Sequence, residues 1–249
     1  MIDTHAHLLC LKNMNDVIEN MKSDRLEYVV NIGTTLEDSR DGVKLAKDYD
    51  RVFTTVGIYP EYSVGVTDDD LNEIERLARN KKVVAIGEIG LDYHAEFDKE
   101  SQKRIFIEQL KIADKLALPF CIHCRNAVED VYEILKENKN LINHSGLMHC
   151  YSEGREWFQK FLDLGLYLSF SGNITFKKND RSFLKDIPFD KILVETDSPY
   201  LSPEPFRGRV NEPKNVQYVI DKIALELGMT SEKLEKITTD NAKKFYGIG

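Results

Sequence analysis

The stretch IDTHAHL, residues 2–8, is the first of eight short β-rich runs that decide the fold. The runs are IDTHAHL (2–8), YVVNIG (28–33), VFTTVGI (52–58), VVAIGEIG (83–90), PFCIHC (119–124), GLMHC (146–150), LYLSFSG (166–172) and KILVETD (191–197). Polar segments with helical periodicity separate them, which predicts parallel strands joined by crossover helices. Eight such strands favour a TIM-type (β/α)8 barrel of the α/β class over an open doubly wound sheet.

The clearest helical segment, residues 98–117, has apolar residues at helical spacing on a face that we expect to pack in the core: Phe106, Leu110, Ala113 and Ala117. Residues 198–213 contain several prolines and predict a long loop after the last strand. Residues 214–247 predict two amphipathic helices outside the barrel. Because no linker or repeat divides the chain, we expect one domain over residues 1–249.

The composition of the 249-residue chain excludes several classes of protein. It is 42% hydrophobic, yet no apolar run approaches the roughly 18 residues of a membrane helix, and no leader precedes the first strand. We therefore expect a cytoplasmic protein without a membrane partner. A net charge of −8 argues against binding nucleic acid through a generally basic surface, so an anionic substrate needs a local basic patch. Four scattered cysteines predict reduced thiols.

The first run contains a candidate metal motif. In a regular strand Asp3, His5 and His7 project to one face, about 6.6 Å apart. Branched apolar residues usually fill a barrel interior, so two histidines rising towards its C-terminal mouth indicate metal ligands. A pair of hydrogen-bonded core histidines is the alternative for so short a motif.

Other runs supply further ligand types at the corresponding end. Glu88 closes the fourth run, His123 the fifth, His149 the sixth and Asp197 the eighth. Four imidazoles and two carboxylates at the C-terminal ends of five strands indicate a preformed site for two cations. Coordination would also offset the cost of burying ionisable groups without partners.

These motifs resemble the TatD-type metal-dependent hydrolases of the amidohydrolase-like barrels. The resemblance covers essentially the whole chain, and its carriers follow the family's order: DTHAH (3–7), GEIGLDYH (87–94), IHCR (122–125), HCYSEG (149–154), SGNITFK (171–177), ETDSPYL (195–201) and RGRVNEP (207–213). It implies two divalent ions, one held by His5, His7 and Asp197 and the other by His123 and His149, with Glu88 as the bridge.

The resemblance also implies an activity, that of a deoxyribonuclease, which hydrolyses phosphodiester bonds. A 3′ to 5′ exonuclease acting on single-stranded DNA is one form that this activity could take. Two cations about 3.5–4 Å apart can activate a shared water as a metal-bound hydroxide and stabilise both oxygens of an in-line displacement. Asp197 is the natural general base, and Glu88 takes part as the bridging ligand. Mg, Mn and Zn remain open as the physiological metal.

Residues around the proposed metals are candidates for supporting roles. Asp3 and Glu195 each lie two positions before a ligand, and either could orient an imidazole. A buried carboxylate satisfied by the backbone or by water is the alternative for each. Arg125, Arg207 and Arg209 could bind a substrate phosphate, although ordinary surface charge is the alternative. Asp92, just beyond the fourth run, could reach the substrate or face solvent.

Two places depart from the family's pattern. Leu9 stands where an aspartate is frequent, and Tyr59 and Glu61 stand where GxHPH is common. The same metal site could attack an ester carbonyl, so a deacylase of D-aminoacyl-tRNA is an alternative, and a non-catalytic metal-binding scaffold is a second one. We expect DNA, or else tRNA, as the partner and no obligate protein partner.

Overall fold

The computed structural model describes residues 1–94 and 96–249 and contains one eight-stranded sheet. The strands lie in chain order: β1 (Ile2–Ala6), β2 (Tyr28–Asn31), β3 (Val52–Val56), β4 (Val83–Asp92), β5 (Phe120–Arg125), β6 (Gly146–Met148), β7 (Tyr167–Phe170) and β8 (Ile192–Val194). The described pairings, such as those of β4 with β5 and of β7 with β8, are parallel. All eight predicted strands are therefore present, in the order of a (β/α)8 barrel, and the predicted fold class is confirmed.

Helices alternate with most of the strands. They are α1 (Met14–Asn20), α2 (Leu36–Asp48), α3 (Asp68–Ala78), α4 (Lys99–Leu116), α5 (Val128–Glu137), α6 (Arg155–Asp163), α7 (Val216–Leu227) and α8 (Ser231–Tyr246). Three short 3-10 helices, Gly172–Thr175, Ser182–Asp186 and Phe189–Lys191, lie between β7 and β8. None of the helices in the described ranges is long and apolar enough to cross a membrane.

Capping residues explain where helices begin and end. Thr67 and Asp70 form a reciprocal capping box at the start of α3. Helix α4 buries Phe106, Leu110 and Ala113 as predicted, but Ala117 ends the helix with φ +54° and is exposed. The prediction that Ala117 continues the core stripe is wrong because its left-handed backbone terminates the helical periodicity.

The chain divides into two compact units. The first comprises Met1–Asn31, Cys150–Gln159 and Leu168–Gly249, and the second comprises Ile32–His149 and Lys160–Tyr167. The prediction of one domain is not decided by this division and remains a prediction. In the first unit, the two helices expected over residues 214–247 are present as α7 and α8.

Each unit has its own buried centre. In the first, the rings of Phe170, Tyr151 and Phe183 contact one another, and the Tyr246 hydroxyl of α8 donates to the Thr4 carbonyl oxygen at 2.8 Å. In the second, the fully buried side chains include Phe106, Phe120, Ile74, Ile86 and Ile89. Burial of these large apolar groups anchors the strands whose ends carry the polar residues described next.

Two strands are irregular where ionisable residues lie. Asp3 and Ala6 of β1 pair with Val29 and Asn31, so three steps along β1 match two along β2. Residues Ile86 and Ile89 of β4 pair with Phe120 and Ile122 in the same three-to-two ratio. Each shift is a bulge, which reorients side chains relative to a regular strand.

Candidate metal centre

The first unit contains a cluster of two imidazoles and a carboxylate. Nε2 of His7 lies 3.3 Å from Oδ1 of Asp197, and Nε2 of His5 lies 3.7 Å from the same oxygen. The two imidazole rings meet edge-on at 5.2 Å between centroids. We call these three residues the histidine–aspartate cluster. His7 and Asp197 lie 190 positions apart in the sequence, and the ligand set predicted for these three residues stays a prediction.

Main-chain hydrogen bonds hold this cluster together. The His7 amide donates to the Ser198 carbonyl oxygen at 2.8 Å, and the Asp197 amide donates to the His5 carbonyl oxygen at 2.9 Å. Ala6 also forms a parallel bridge with Ser198. Asp197 itself has φ +55°, a left-handed conformation that aspartate tolerates better than most residues.

The local geometry corrects the prediction of a regular strand through His7. β1 ends at Ala6, and His7 precedes a 3-10 helix over Leu8–Cys10 with φ −90° and ψ 73°. The bulge between Asp3 and Ala6 also breaks the simple alternation. The imidazoles meet because the chain bends, rather than through a two-residue repeat.

The two predicted supporting carboxylates bind backbone groups. Asp3 accepts from the amides of Thr196 at 2.9 Å and His5 at 3.3 Å, and it contacts the Thr196 hydroxyl at 2.5 Å. These partners in the described chain include no imidazole, which favours the alternative of a buried carboxylate satisfied by the backbone, and the supporting role of Asp3 stays a prediction. Burial raises the pKa of Asp3 to about 8, although the Thr196 hydrogen bonds act in the opposite direction. Glu195 accepts from the Cys150 amide at 2.7 Å.

The second unit contains a cluster formed by Glu88, His123 and His149, which we call the glutamate–histidine cluster. Oε1 of Glu88 lies 2.9 Å from Nδ1 of His123 and 2.9 Å from Nε2 of His149. The two ring nitrogens lie 3.2 Å apart. The cluster therefore offers three donor atoms, within 4.8 Å of one another, that could hold a metal ion.

The sequence misplaces Glu88 within its strand. Glu88 was expected to close the fourth run, but β4 continues to Asp92, and Glu88 lies in the bulge between Ile86 and Ile89. A bulge can direct a side chain to a face that the regular alternation would not give it. This is how a residue in the middle of a buried strand reaches the two imidazoles.

Glycines bring neighbouring strands unusually close beside this cluster. A Cβ added to Gly90 would lie 2.1 Å from the His123 carbonyl oxygen, and one added to Gly87 would lie 2.8 Å from Cβ of Cys121. Gly90 also has φ +136°, which L-residues rarely adopt. Only glycine allows β4 and β5 to approach at these positions.

The donor chemistry of the glutamate–histidine cluster fits a divalent cation. A carboxylate oxygen and two imidazole nitrogens converge, and their lone pairs repel unless a proton or a metal ion lies between them. Burial lowers the pKa of His123, but hydrogen bonds with Asp92 and Glu88 outweigh it and raise that pKa. Imidazole and carboxylate are ordinary ligands of zinc and manganese.

A residue pair that the sequence left undecided borders this cluster. Tyr59 donates through its hydroxyl to Oδ2 of Asp92 at 2.8 Å, and the same Oδ2 lies 3.1 Å from Nε2 of His123. Burial raises the pKa of Tyr59, helped by Glu88 and Asp92, so the phenol keeps its proton. The pKa of Asp92 lies below its ordinary range. Burial alone would raise it, but the hydrogen bonds with His123, the His94 amide and Tyr59 outweigh the effect of burial.

The candidate phosphate-binding arginines lie on exposed segments. Arg125 ends β5, while Arg207 and Arg209 lie in the predicted loop over residues 198–213. The Arg207 guanidinium stacks 4.3 Å from the Phe176 ring centroid. In the part of the chain that the structure describes, none of these three arginines forms a salt bridge.

Tyr200 is a further candidate that the sequence did not single out. Its ring meets that of His7 edge-on at 5.8 Å, and 55% of its surface is exposed. It lies in the motif ETDSPYL, which was the available signal. Leu9, the departure near His7, lies in the 3-10 helix Leu8–Cys10 and is partly exposed.

Comparison with known sequences gives matches along the chain. Residues 2–247 match the sequence profile of a family described as TatD related DNase. The uncharacterized metal-dependent hydrolase YabD of Bacillus subtilis (strain 168) is 39% identical over 254 aligned residues, which cover 100% of this chain and 99% of the relative. The 3′-5′ ssDNA/RNA exonuclease TatD of Salmonella typhimurium is 31% identical over 245 residues, covering 95% of this chain and 94% of the relative.

A solved structure shares the fold. The crystal structure of YJJV, a TatD homologue from Escherichia coli K12, matches with a TM-score of 0.93 at 23% sequence identity. The match covers 100% of this chain and 98% of that one. At this identity the likeness shows a common fold and carries no statement about substrate.

Proposed function

The chain belongs to the TatD-related DNase family of metal-dependent hydrolases, and from that premise we propose that it hydrolyses phosphodiester bonds at the 3′ end of single-stranded DNA. The observation that carries this proposal is the convergence of three donor atoms in the glutamate–histidine cluster. A relative with 31% identity is named as a 3′-5′ ssDNA/RNA exonuclease, which supports the choice of nucleic acid.

The proposed ligand set uses both clusters. In a (β/α)8 barrel, functional side chains gather towards the C-terminal ends of the strands. His7 and His149 directly follow β1 and β6, whereas Glu88 reaches its cluster from the bulge in β4. We propose that the histidine–aspartate cluster would hold one divalent ion and that the glutamate–histidine cluster would hold a second. When bound, such ions would lower the pKa of a water molecule and offset negative charge that develops on the phosphate.

The chain's own residues supply the remaining chemistry. Asp197 accepts a proton from the attacking water and returns it to the leaving 3′ oxygen as the phosphorus–oxygen bond breaks. Arg125, Arg207 and Arg209 bind phosphate oxygens, since each carries a guanidinium that is not committed to a salt bridge in the described structure. Tyr200, exposed beside His7, offers a face on which a base can stack.

A cleavage assay tests the proposal directly. Purified protein is incubated with a single-stranded oligonucleotide labelled at its 5′ end, in Mg²⁺, Mn²⁺, Zn²⁺ or EDTA. We expect metal-dependent shortening from the 3′ end, no shortening in EDTA, and resistance of an oligonucleotide whose terminal 3′ linkages are phosphorothioates.

Matched variants separate the site from the rest of the protein. Glu88→Gln is expected to abolish cleavage, whereas His144→Gln, which changes a histidine outside both clusters, is expected to leave it unchanged. Intact DNA in every metal would refute the nuclease. Release of the amino acid from D-aminoacyl-tRNA in the same buffers would instead identify a deacylase, and metal binding without either turnover would indicate a scaffold.

A further inference from the structure

The two ring nitrogens of His123 contact different groups. Its Nδ1 faces the glutamate–histidine cluster, at 2.9 Å from Glu88 and 3.2 Å from His149. Its Nε2 faces away from that cluster, at 3.1 Å from Oδ2 of Asp92 and 3.1 Å from the Tyr59 hydroxyl oxygen. Only one nitrogen of a neutral imidazole carries hydrogen, so the partners on the Nε2 side decide which nitrogen remains free to bind a cation.

Asp92 is rigidly placed to be one of those partners. Its side chain is buried at the end of β4, with the whole residue 4% exposed. The buried Gln102 side chain accepts from the Asp92 amide at 2.9 Å and donates to the Asp92 carbonyl oxygen at 3.0 Å. The His94 amide donates to Oδ1 at 2.8 Å, which leaves Oδ2 for Tyr59 and His123.

The contacts on the Nε2 side of His123 favour one arrangement. The Tyr59 hydroxyl hydrogen points to Asp92 Oδ2, so the phenol has no second hydrogen to give to His123. The Tyr59 hydroxyl and the His94 amide donate to the two oxygens of Asp92, so the carboxylate acts as an acceptor, and Nε2 of His123 is the group that can donate to Oδ2. The free lone pair of His123 is then on Nδ1, directed at the cluster.

We propose that Asp92 and Tyr59 are positioning residues for His123: Asp92 holds the proton on Nε2, and Tyr59 holds the Asp92 carboxylate in place. A carboxylate that accepts from the second nitrogen of a ligand imidazole fixes its orientation and makes it a stronger ligand. This inference rests on the metal centre of the proposed function but is independent of the substrate. Tyr59, which departs from the family's pattern, would thus help to orient the metal ligand His123 through Asp92.

Two variants and one matched control test the proposal. Asp92→Asn keeps the shape of the side chain but removes its charge, and Tyr59→Phe removes only the hydroxyl. The control, Tyr93→Phe, deletes a similar bond in the same unit, since the Tyr93 hydroxyl donates to Asp130 at 2.7 Å without touching an imidazole. Circular dichroism and thermal unfolding verify that each variant is folded.

The first readout is metal affinity, measured by competition between the protein and a chromophoric chelator for Zn²⁺. Asp92→Asn should weaken the site of the glutamate–histidine cluster by about 10- to 100-fold. Tyr59→Phe should weaken it by about 3- to 10-fold, because it loses a single hydrogen bond to the orienting group. Tyr93→Phe should bind Zn²⁺ like the wild type.

The second readout is the tautomer, followed by 15N–1H correlation spectra of the imidazoles, in which His123→Gln identifies the His123 signals. We expect the Nε2–H form in the wild type and a mixture of tautomers in Asp92→Asn. Wild-type affinity and an unchanged tautomer in Asp92→Asn would overturn this inference alone. Equal Zn²⁺ binding by the wild type and Glu88→Gln would overturn the metal centre, and this inference with it.

Discussion

The histidine–aspartate cluster and the glutamate–histidine cluster contain the same kinds of ligand atoms but are built differently. In the first, amides of His7 and Asp197 bond to carbonyl oxygens of the opposing segment, so the main chain sets the positions of the side chains. In the second, amides of Glu88 and His149 also bond to carbonyl oxygens, and the His123 ring has in addition side-chain contacts with Asp92 and Tyr59.

This difference predicts different sensitivities to mutation. A cluster held by the main chain should tolerate changes in neighbouring side chains, because the backbone bonds persist without them. A cluster whose imidazole also contacts neighbouring side chains should lose ligand geometry when one of those side chains is shortened or loses its charge. The ligands themselves should be essential in both.

The largest effect is expected for Asp197→Asn. Asparagine accepts the left-handed backbone at this position as well as aspartate does, so the main-chain bonds should survive while the proton acceptor is lost. We expect turnover of single-stranded DNA to fall by about 10²- to 10⁴-fold with little change in the melting temperature. A loss of turnover that is accompanied by a large fall in melting temperature would show that Asp197 is mainly structural.

Metal removal should have the next largest effect. A divalent ion at 100 times its Kd stabilises the folded protein by about 2.7 kcal/mol, which corresponds to a rise of about 5–10 °C in melting temperature for a chain of this size. Differential scanning fluorimetry with added Zn²⁺ or Mn²⁺, and after EDTA, measures this shift. Glu88→Gln should greatly reduce it, and a full shift in that variant would show that the glutamate–histidine cluster does not bind the ion.

Asp3 should make the stability of the metal-free protein depend on pH. Its folded pKa of about 8 lies above the ordinary value of 3.8, so the stability it contributes is complete below pH 3.8 and is lost as the pH rises through 8. We expect the free energy of unfolding to fall by about 2 kcal/mol between pH 6 and pH 8 from this group. Urea unfolding of Asp3→Asn, whose amide does not ionise, should show a flatter profile; an identical profile would contradict the assignment.

The smallest effect is expected for Thr196→Val, which tests how much a neighbouring side chain contributes to the histidine–aspartate cluster. The Thr196 hydroxyl contacts Asp3 and accepts from the Ser198 amide at 3.1 Å. Its loss should cost about 1 kcal/mol in urea unfolding, with metal affinity nearly unchanged. Thr196→Ser, which keeps the hydroxyl, is the control, and a tenfold loss of metal affinity in the valine variant alone would remove the contrast between the clusters.

The eight strands were predictable because each is a short apolar run bounded by polar segments. The bulges beside His5 and Glu88 were not, because a register shift depends on pairing with a neighbouring strand and leaves no local pattern. The contact between Tyr59 and Asp92 was equally hidden, since the residues lie 33 positions apart. The ligand set as a whole stays a prediction until a metal is measured.

Gly90 has a consequence for any attempt to redesign this protein. A single methyl group there would point into the His123 carbonyl at 2.1 Å, so even alanine would act as a wedge between two strands. The wedge would move the backbone that carries His123 while leaving every ligand in the sequence intact. Libraries that randomise only the ligands and the loops would therefore keep the distance between β4 and β5 at Gly90 and His123. Recombination with a chain that lacks this glycine would change that distance without altering a catalytic residue.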